Sequence, residues 1–298
     1  MKSDRRGELG ISLIVLSWGI NYVVTKIGVA QLSPVDFVFW RFVGTALFAL
    51  PWTLRKRPRG RREWLGIVVM GLVGVSLYQW LFSTALNLTL SANVAFIFNL
   101  SPLLTLLWQR VVQRRVMGQH IWWGAALSFA GVALLARASL HGGGYLGDVF
   151  ALGAAASWSA FALITDHFRV SVTGLAQTGW ISLIGALGLL PFVNFAAPWQ
   201  AGGSTVWPLL YTIIFVTLMG LSLWQTAVAS LGAGRASLML YIIPLVAAVA
   251  GWVFLGERLG ILEGVGAVAI LAGVAWADGR FMRQKSGPME PPAAEESV

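Results

Sequence analysis

Cysteine is absent from the 298 residues. That excludes disulfides, cysteine-ligated zinc or iron–sulfur clusters and thiol catalysis, and it says little about compartment. Histidine is scarce as well. His120, His141 and His167 are too scattered to suggest a metal site, so neither a metal nor another cofactor is expected. Charged residues make up 11% of the chain, against about 25% in an ordinary soluble domain. So few charges cannot cover a water-facing surface. No Walker A sequence or phosphate-cradling glycine loop is present, which argues against ATP-driven pumping by this chain alone. Acids clearly in the middle of an apolar stretch are lacking too. Asp36, Asp148, Asp166, Glu257 and Glu263 all fall close to the ends of such stretches. Facilitated diffusion or exchange is therefore as open as proton antiport, with Asp166 and His167 the best titrating candidates.

What the chain does have is apolar length. Hydrophobic residues make up 57% and the mean hydropathy is +0.74. A hydrocarbon core about 30 Å thick needs roughly 20 apolar residues of helix. Ten such stretches run near 9–29, 34–54, 64–85, 92–112, 121–139, 146–166, 174–195, 207–230, 235–255 and 261–279. The expected fold is an all-α membrane protein of ten transmembrane helices with short connections. The first stretch is read as a retained helix, because it is too long for a signal peptide and lacks a clear small-x-small cleavage site. Residues 286–298, rich in Pro, Ala and Glu, read as a disordered cytoplasmic tail.

The net charge of +9 is placed as topology demands. Lys and Arg concentrate at the N-terminus (Lys2, Arg5, Arg6), the second connection (Arg55 to Arg62), the fourth (Arg110, Arg114, Arg115) and the C-terminus (Arg280, Arg283, Lys285). The first, third and seventh connections contain neither. By the positive-inside rule both termini are cytoplasmic, in the plasma (inner) membrane. The same placement leaves no nucleic-acid patch.

The chain also repeats itself. SWGINYVVTK holds Trp18 and Thr25, and SWSAFALITD holds Trp158 and Thr165, both at an offset of 140 (158−18, 165−25). Pro102 is answered by Pro244, Ala85 by Ala227 and Gly131 by Gly273, each at an offset of 142. Each copy carries five spans. Five is odd, so the second copy enters from the opposite side, and the pair is inverted. The expected units are residues 8–140 and 145–280. Inverted repeats are a transporter architecture, with substrate bound where the repeats meet.

SWGINYVVTKIGVAQLSPVDFVFWRF, with Trp18, Gly19, Asn21, Pro34 and Arg41, resembles the opening pattern of the EamA-type family of the drug/metabolite transporter superfamily. PLVAAVAGWVFLGERLGILEGVGAVAILAGV, with Pro244, Gly256, Glu257, Gly264, Gly266 and Gly273, is similar to its closing pattern. The resemblance covers residues 8–280. It implies a ten-helix inverted-repeat fold, a central cavity, and export or exchange of small metabolites such as amino acids. One departure stands out: the position matching Glu257 in the first copy is Arg115 (257−142), so a symmetric pair of carboxylates is missing.

Candidate site residues come from polar and aromatic positions within the spans. Trp18, Asn21, Tyr22 and Thr25 recur at i, i+3, i+4 and i+7 on one helical face. The second copy has Trp158, Phe161, Ala162 and Thr165 there. Such a face can line a shared cavity, or its tryptophans can be packing residues. Pro102 and Pro244 interrupt the fourth and ninth spans as candidate hinges, freeing the carbonyls of Phe98 and Leu240. Asn99 and Tyr241, each three residues before its proline, are the polar candidates there. Tyr78, Gln79 and Phe82 with Trp224 and Gln225 form an aromatic wall with an amide, suited to an amphipathic substrate. Arg41, about seven residues into the second span, either snorkels to the surface or anchors a substrate carboxylate, with Lys26 and Asp36 nearby. Gly260-x-x-x-Gly264 is a close-packing face for another helix, within the chain or in a dimer.

The functional expectation is a carrier, monomeric or homodimeric in the lipid bilayer, that exports or exchanges small amphipathic metabolites by alternating access. The alternatives are a transport-derived sensor that binds its ligand without moving it, and an intramembrane lipid-modifying enzyme. The latter requires an acid/base or metal constellation that the sequence does not display.

Overall fold

The computed structural model describes residues 2–89, 91–136, 144–197, 202–246, 249 and 261–277. Gly256, Glu257, Gly260, His141 and the 286–298 tail lie outside the described residues. Among the described residues, all regular structure is helical. In chain order the elements are α1 (Lys2–Val29), α2 (Pro34–Arg55), α3 (Gly60–Leu88), α4 (Ser91–Phe98), α5 (Ser101–Val111), α6 (Gln119–Ala136) and α7 (Tyr145–Phe168). They continue as α8 (Leu175–Phe192), α9 (Gly203–Leu231), α10 (Ala233–Val246) and α11 (Ile261–Ala277). Among the described residues, seven segments are long and apolar enough to cross a membrane: one each in α1, α2, α3, α7, α8 and α9, and Val94–Val111 across α4 and α5. Shorter apolar helices occupy Ala233–Val246 and Gly264–Ala277.

Local chemistry sets the helix ends. Ser33 caps α2 by accepting from the Asp36 amide at 3.2 Å, Pro34 opens its first turn, and Asp36 complements the helix dipole. Gly232, at φ 80°, breaks the chain between α9 and α10, a conformation a side chain would oppose. Leu47, Phe48, Trp52 and Trp123 stand exposed on the outside of the bundle, as expected where the surrounding solvent is lipid and hydrophobic burial does not drive helices together.

The two copies pack as partners. α6 lies along α11 and α2 along α8, each helix against its own counterpart, and α5 packs against the start of α10, whose counterpart is α4. α1 packs on α9 while α7 packs on α3, the same contact with the copies exchanged. The α6–α11 crossing is reciprocal at the atomic level. A methyl added at Gly131 would sit 2.6 Å from the Gly266 carbonyl oxygen. One added at Gly273 would sit 2.5 Å from the Gly124 carbonyl oxygen. Since Gly266 matches Gly124 and Gly273 matches Gly131 (offset 142), these are one contact seen twice. Ser128 Oγ donates to the carbonyl of Ile270, its own counterpart, at 3.3 Å, as happens beside a pseudo-twofold axis.

Complementarity elsewhere is kept by exchanging knob and hole. Gly44 on α2 receives Ile213 of α9. At the matching positions Ile184 on α8 fills the space over Gly71 on α3. On α11 the glycine that packs against α6 is Gly273, and a methyl at Gly264 would meet none of the described residues within 4 Å. The close-packing face expected at Gly264 is thus corrected: within the chain the contact falls to Gly266 and Gly273, because these face α6.

Candidate functional site

The prolines do not kink continuous helices. Asn99 and Leu100 form a turn between α4 and α5, and Pro102 sits in the first turn of α5. There its missing N–H is one the helix could not have used. In the second copy a 3-10 turn, Leu240–Ile242, precedes Pro244. The Leu240 carbonyl, expected to be free, accepts from the Ile243 amide. At Pro244 the freed carbonyl is thus taken up locally.

Two other irregularities stand closer to the centre. α3 is π-helical over Leu72–Leu77 and α9 over Thr212–Leu221, at matching places in the two copies. Each wide turn presents a carbonyl sideways to the facing helix. The Val216 carbonyl accepts from Trp18 Nε1 at 3.1 Å, and the Val73 carbonyl from Ser157 Oγ at 3.0 Å. Sequence reasoning missed both segments, since nothing in their composition separates them from an α-helix.

Between α1, α2, α3, α7 and α9 lies a cavity. Trp18, Asn21, Tyr22, Arg41, Tyr78, Gln79, Phe82 and Trp158 among the sequence candidates line it. Trp18 and Trp158, counterparts in the two copies, touch edge to face with ring centres 5.1 Å apart. The cavity thus sits beside the pseudo-axis. Tyr78 packs on Trp158 at 5.0 Å, and Tyr22 on Phe82 at 5.3 Å. The free volume is about 30 Å³, room for one or two waters. A metabolite the size of an amino acid enters only when the walls part.

The remaining candidates lie outside this lining. Trp224 forms a second layer, its ring 5.0 Å from Trp158 and 5.9 Å from Trp18. Gln225 is buried with both amide atoms unpartnered. Asn99 turns its amide to the Ala95 carbonyl at 2.6 Å, one turn back in its own helix. Tyr241 joins a separate apolar cluster with Leu106, Ile270 and Val274. Its distance from the cavity follows from the α5–α10 packing, which turns this face toward α6 and α11.

Arg41 does not snorkel. It is 2% exposed, and its Nε donates to Thr217 Oγ1 at 2.8 Å and its Nη1 to Gln79 Oε1 at 3.2 Å. Thr217 was not a sequence candidate. It is presented by the π segment of α9, where its hydroxyl also donates to the Thr212 carbonyl five residues back, at 2.8 Å. Lys26 and Asp36 do not join Arg41. Lys26 Nζ donates to the Thr89 carbonyl at 3.3 Å, and Asp36 accepts from Ser33 Oγ and from the Asn194 amide. The ion pairs among the described residues are both on Asp166, with Arg115 at 3.5 Å and Arg169 at 3.2 Å. Among the described residues no group of His, Asp or Glu is placed to hold a metal ion.

The model of the EamA-like transporter family matches residues 5–137 and again 145–277. The chain belongs to the EamA-like transporter family. It is a membrane transporter rather than an enzyme. An "Uncharacterized transporter" of Archaeoglobus fulgidus is 26% identical over 91% of this chain and 96% of its own. A "Probable amino-acid metabolite efflux pump" of Escherichia coli is 26% identical over 91% and 94%. A "Probable terminal-alkyne amino-acid exporter" of Streptantibioticus cattleyicolor is 26% identical over 92% and 93%. A solved crystal structure superposes with a TM-score of 0.74 at 19% identity, covering 95% of this chain and 99% of its own. That likeness concerns the fold.

Proposed function

We propose that this EamA-like transporter is an inner-membrane carrier that exports or exchanges amino acids or related amphipathic metabolites by alternating access. In this reading ten spans form two inverted units, 8–140 and 145–280, with both termini in the cytoplasm. The halves rock about the axis between Trp18 and Trp158. The observation that carries the reading is the position of the cavity: it lies where the two copies meet, with walls drawn from both. The basic connections support the orientation. The names of the Escherichia coli and Streptantibioticus cattleyicolor relatives support the substrate class. The narrow cavity fits an occluded intermediate that opens by separation of α1 from α9 or of α3 from α7, the two exchanged contacts.

The test is counterflow in proteoliposomes loaded with a panel of amino acids and related metabolites, with and without a pH gradient. Accumulation of labelled substrate against unlabelled lumenal substrate is expected. Saturable binding with no flux for any member would replace the carrier by a sensor.

A further inference from the structure

The cavity wall carries a charge of one sign. Arg41 is the cation of its lining, and the lining contains no Asp or Glu. Arg41 is buried, and no carboxylate of the described residues lies within 4.0 Å of it. A buried cation without a counterion is costly, and hydroxyl and amide acceptors compensate it only in part. Two of its five N–H donors are engaged, by Thr217 and Gln79. The remaining donors are on Nη1 and Nη2, the fork that binds a carboxylate bidentately.

The other polar groups of the cavity point the same way. The Asn21 amide oxygen already accepts from Thr25 Oγ1 at 2.9 Å, which leaves its NH2 group to donate. The indole N–H of Trp158 is buried with no acceptor. The Gln79 oxygen is taken by Arg41. The Tyr22 and Tyr78 hydroxyls can donate as readily as accept. The cavity thus offers N–H and O–H donors beside aromatic faces, and no anion for an ammonium group.

We infer that the cavity selects its cargo by a carboxylate held at Arg41, with an apolar body against the Trp18–Trp158–Tyr78 wall, and that an α-amino group on the cargo is dispensable. Deaminated acids therefore bind about as well as the corresponding amino acids, while amines and cationic compounds are rejected. The aromatic faces alone would attract a cation, but Arg41 at the same wall opposes it. The counterpart of Arg41 in the second copy is Ile181 (41+140), so there is one such anion site per chain. The inference deepens the carrier reading and rests on it only for the claim that the bound acid is also moved.

Tryptophan fluorescence of the full-length protein in detergent tests binding without interference from membrane leak, because Trp18 and Trp158 line the cavity. The probes are phenylacetate, phenylalanine, phenethylamine and methyl phenylacetate. Phenylacetate and phenylalanine are expected to bind within about tenfold of each other, with the ester and the amine at least about tenfold weaker, the size of one charge-assisted contact. In Arg41→Gln the acid–ester difference should collapse. Arg41→Lys should retain part of it, having the charge without the fork. Phenethylamine binding as tightly as phenylacetate, an acid preference that survives in Arg41→Gln, or no response to any probe overturns the inference. If Arg41→Gln does not fold, the wild-type probe series and Arg41→Lys decide. Acid-selective binding without counterflow would fail the carrier reading alone, and counterflow of acids and amines alike would fail the charge selection alone.

Discussion

The two copies meet the cavity with different chemistry on equivalent positions. Asn21 of the first copy and Val216 in the π segment of α9 both line the cavity. The counterparts are Phe161 (21+140) and Gly74 (216−142). A methyl at Gly74 would overlap the Phe161 ring, so this ring fills the hole that the missing side chain leaves. Thr25 spends its hydroxyl on the Asn21 side chain, and Thr165 on the Phe161 backbone carbonyl at 2.8 Å. One half therefore lines the cavity with an amide, and the other closes the same place with a packed ring. The duplicated scaffold supplies two equivalent positions, and one of them is polar. Symmetry is kept where α6 and α11 cross closely and lost in the lining of the cavity.

The largest effect is expected where the symmetry is strictest. Gly131→Val on α6 would drive a side chain into the Gly266 carbonyl and the Ile270 amide, both backbone atoms of α11. Backbone cannot step aside, so the cost should lie at the upper end of the about 1–3 kcal/mol typical of overpacking. A fall of the thermal unfolding midpoint in detergent would show it. Gly264→Val, on a face of α11 turned away from α6, serves as the control and should shift the midpoint little. Equal shifts would mean that α6 and α11 are not locked through these glycines.

A smaller loss is expected from Gly74→Val, because a ring can move where backbone cannot. About 1–2 kcal/mol is in keeping with overpacking against a side chain. The pair Gly74→Val with Phe161→Asn recreates the first copy's arrangement and should recover part of the midpoint, a coupling that a double-mutant cycle measures. Additive losses would sink the idea that the two positions trade volume.

The smallest effect concerns the ends of α1 and α7. Asp166 is 3% exposed in its side chain and shared by Arg115 and Arg169, which are 51% and 63% exposed. Its counterpart is Lys26 (166−140), which donates to the Thr89 carbonyl instead. Pairs with such exposed partners are worth about 0–1 kcal/mol. Asp166→Asn should therefore shift the midpoint only slightly, and the shift should shrink further in high salt. A large, salt-independent loss would assign Asp166 a role inside the bundle.

Much of the architecture was legible because it depends on composition and spacing. Few charges and long apolar runs called for a lipid-embedded helical bundle. The 140 and 142 offsets located Trp18 against Trp158 and Gly131 against Gly273, and both pairs lie beside the axis. What was not legible depends on how helices turn once packed. Asn99 and Tyr241 looked like pathway residues from their place before the prolines, yet neither lines the cavity. Gly264 looked like the contact glycine, but the helix rotation chosen against α6 gives that role to Gly266 and Gly273.

By itself the sequence determined the solvent of this protein, its helical class and its duplicated plan, because hydropathy, charge placement and repetition are summed along the chain and need no neighbours. Only the tertiary structure decided that Arg41 faces inward, that Thr217 and Gln79 hold it, and that Phe161 closes one of the two positions over Gly74. Those facts depend on the rotation of each helix about its axis and on the π turns of α3 and α9, which packing between the two copies sets and no local pattern encodes.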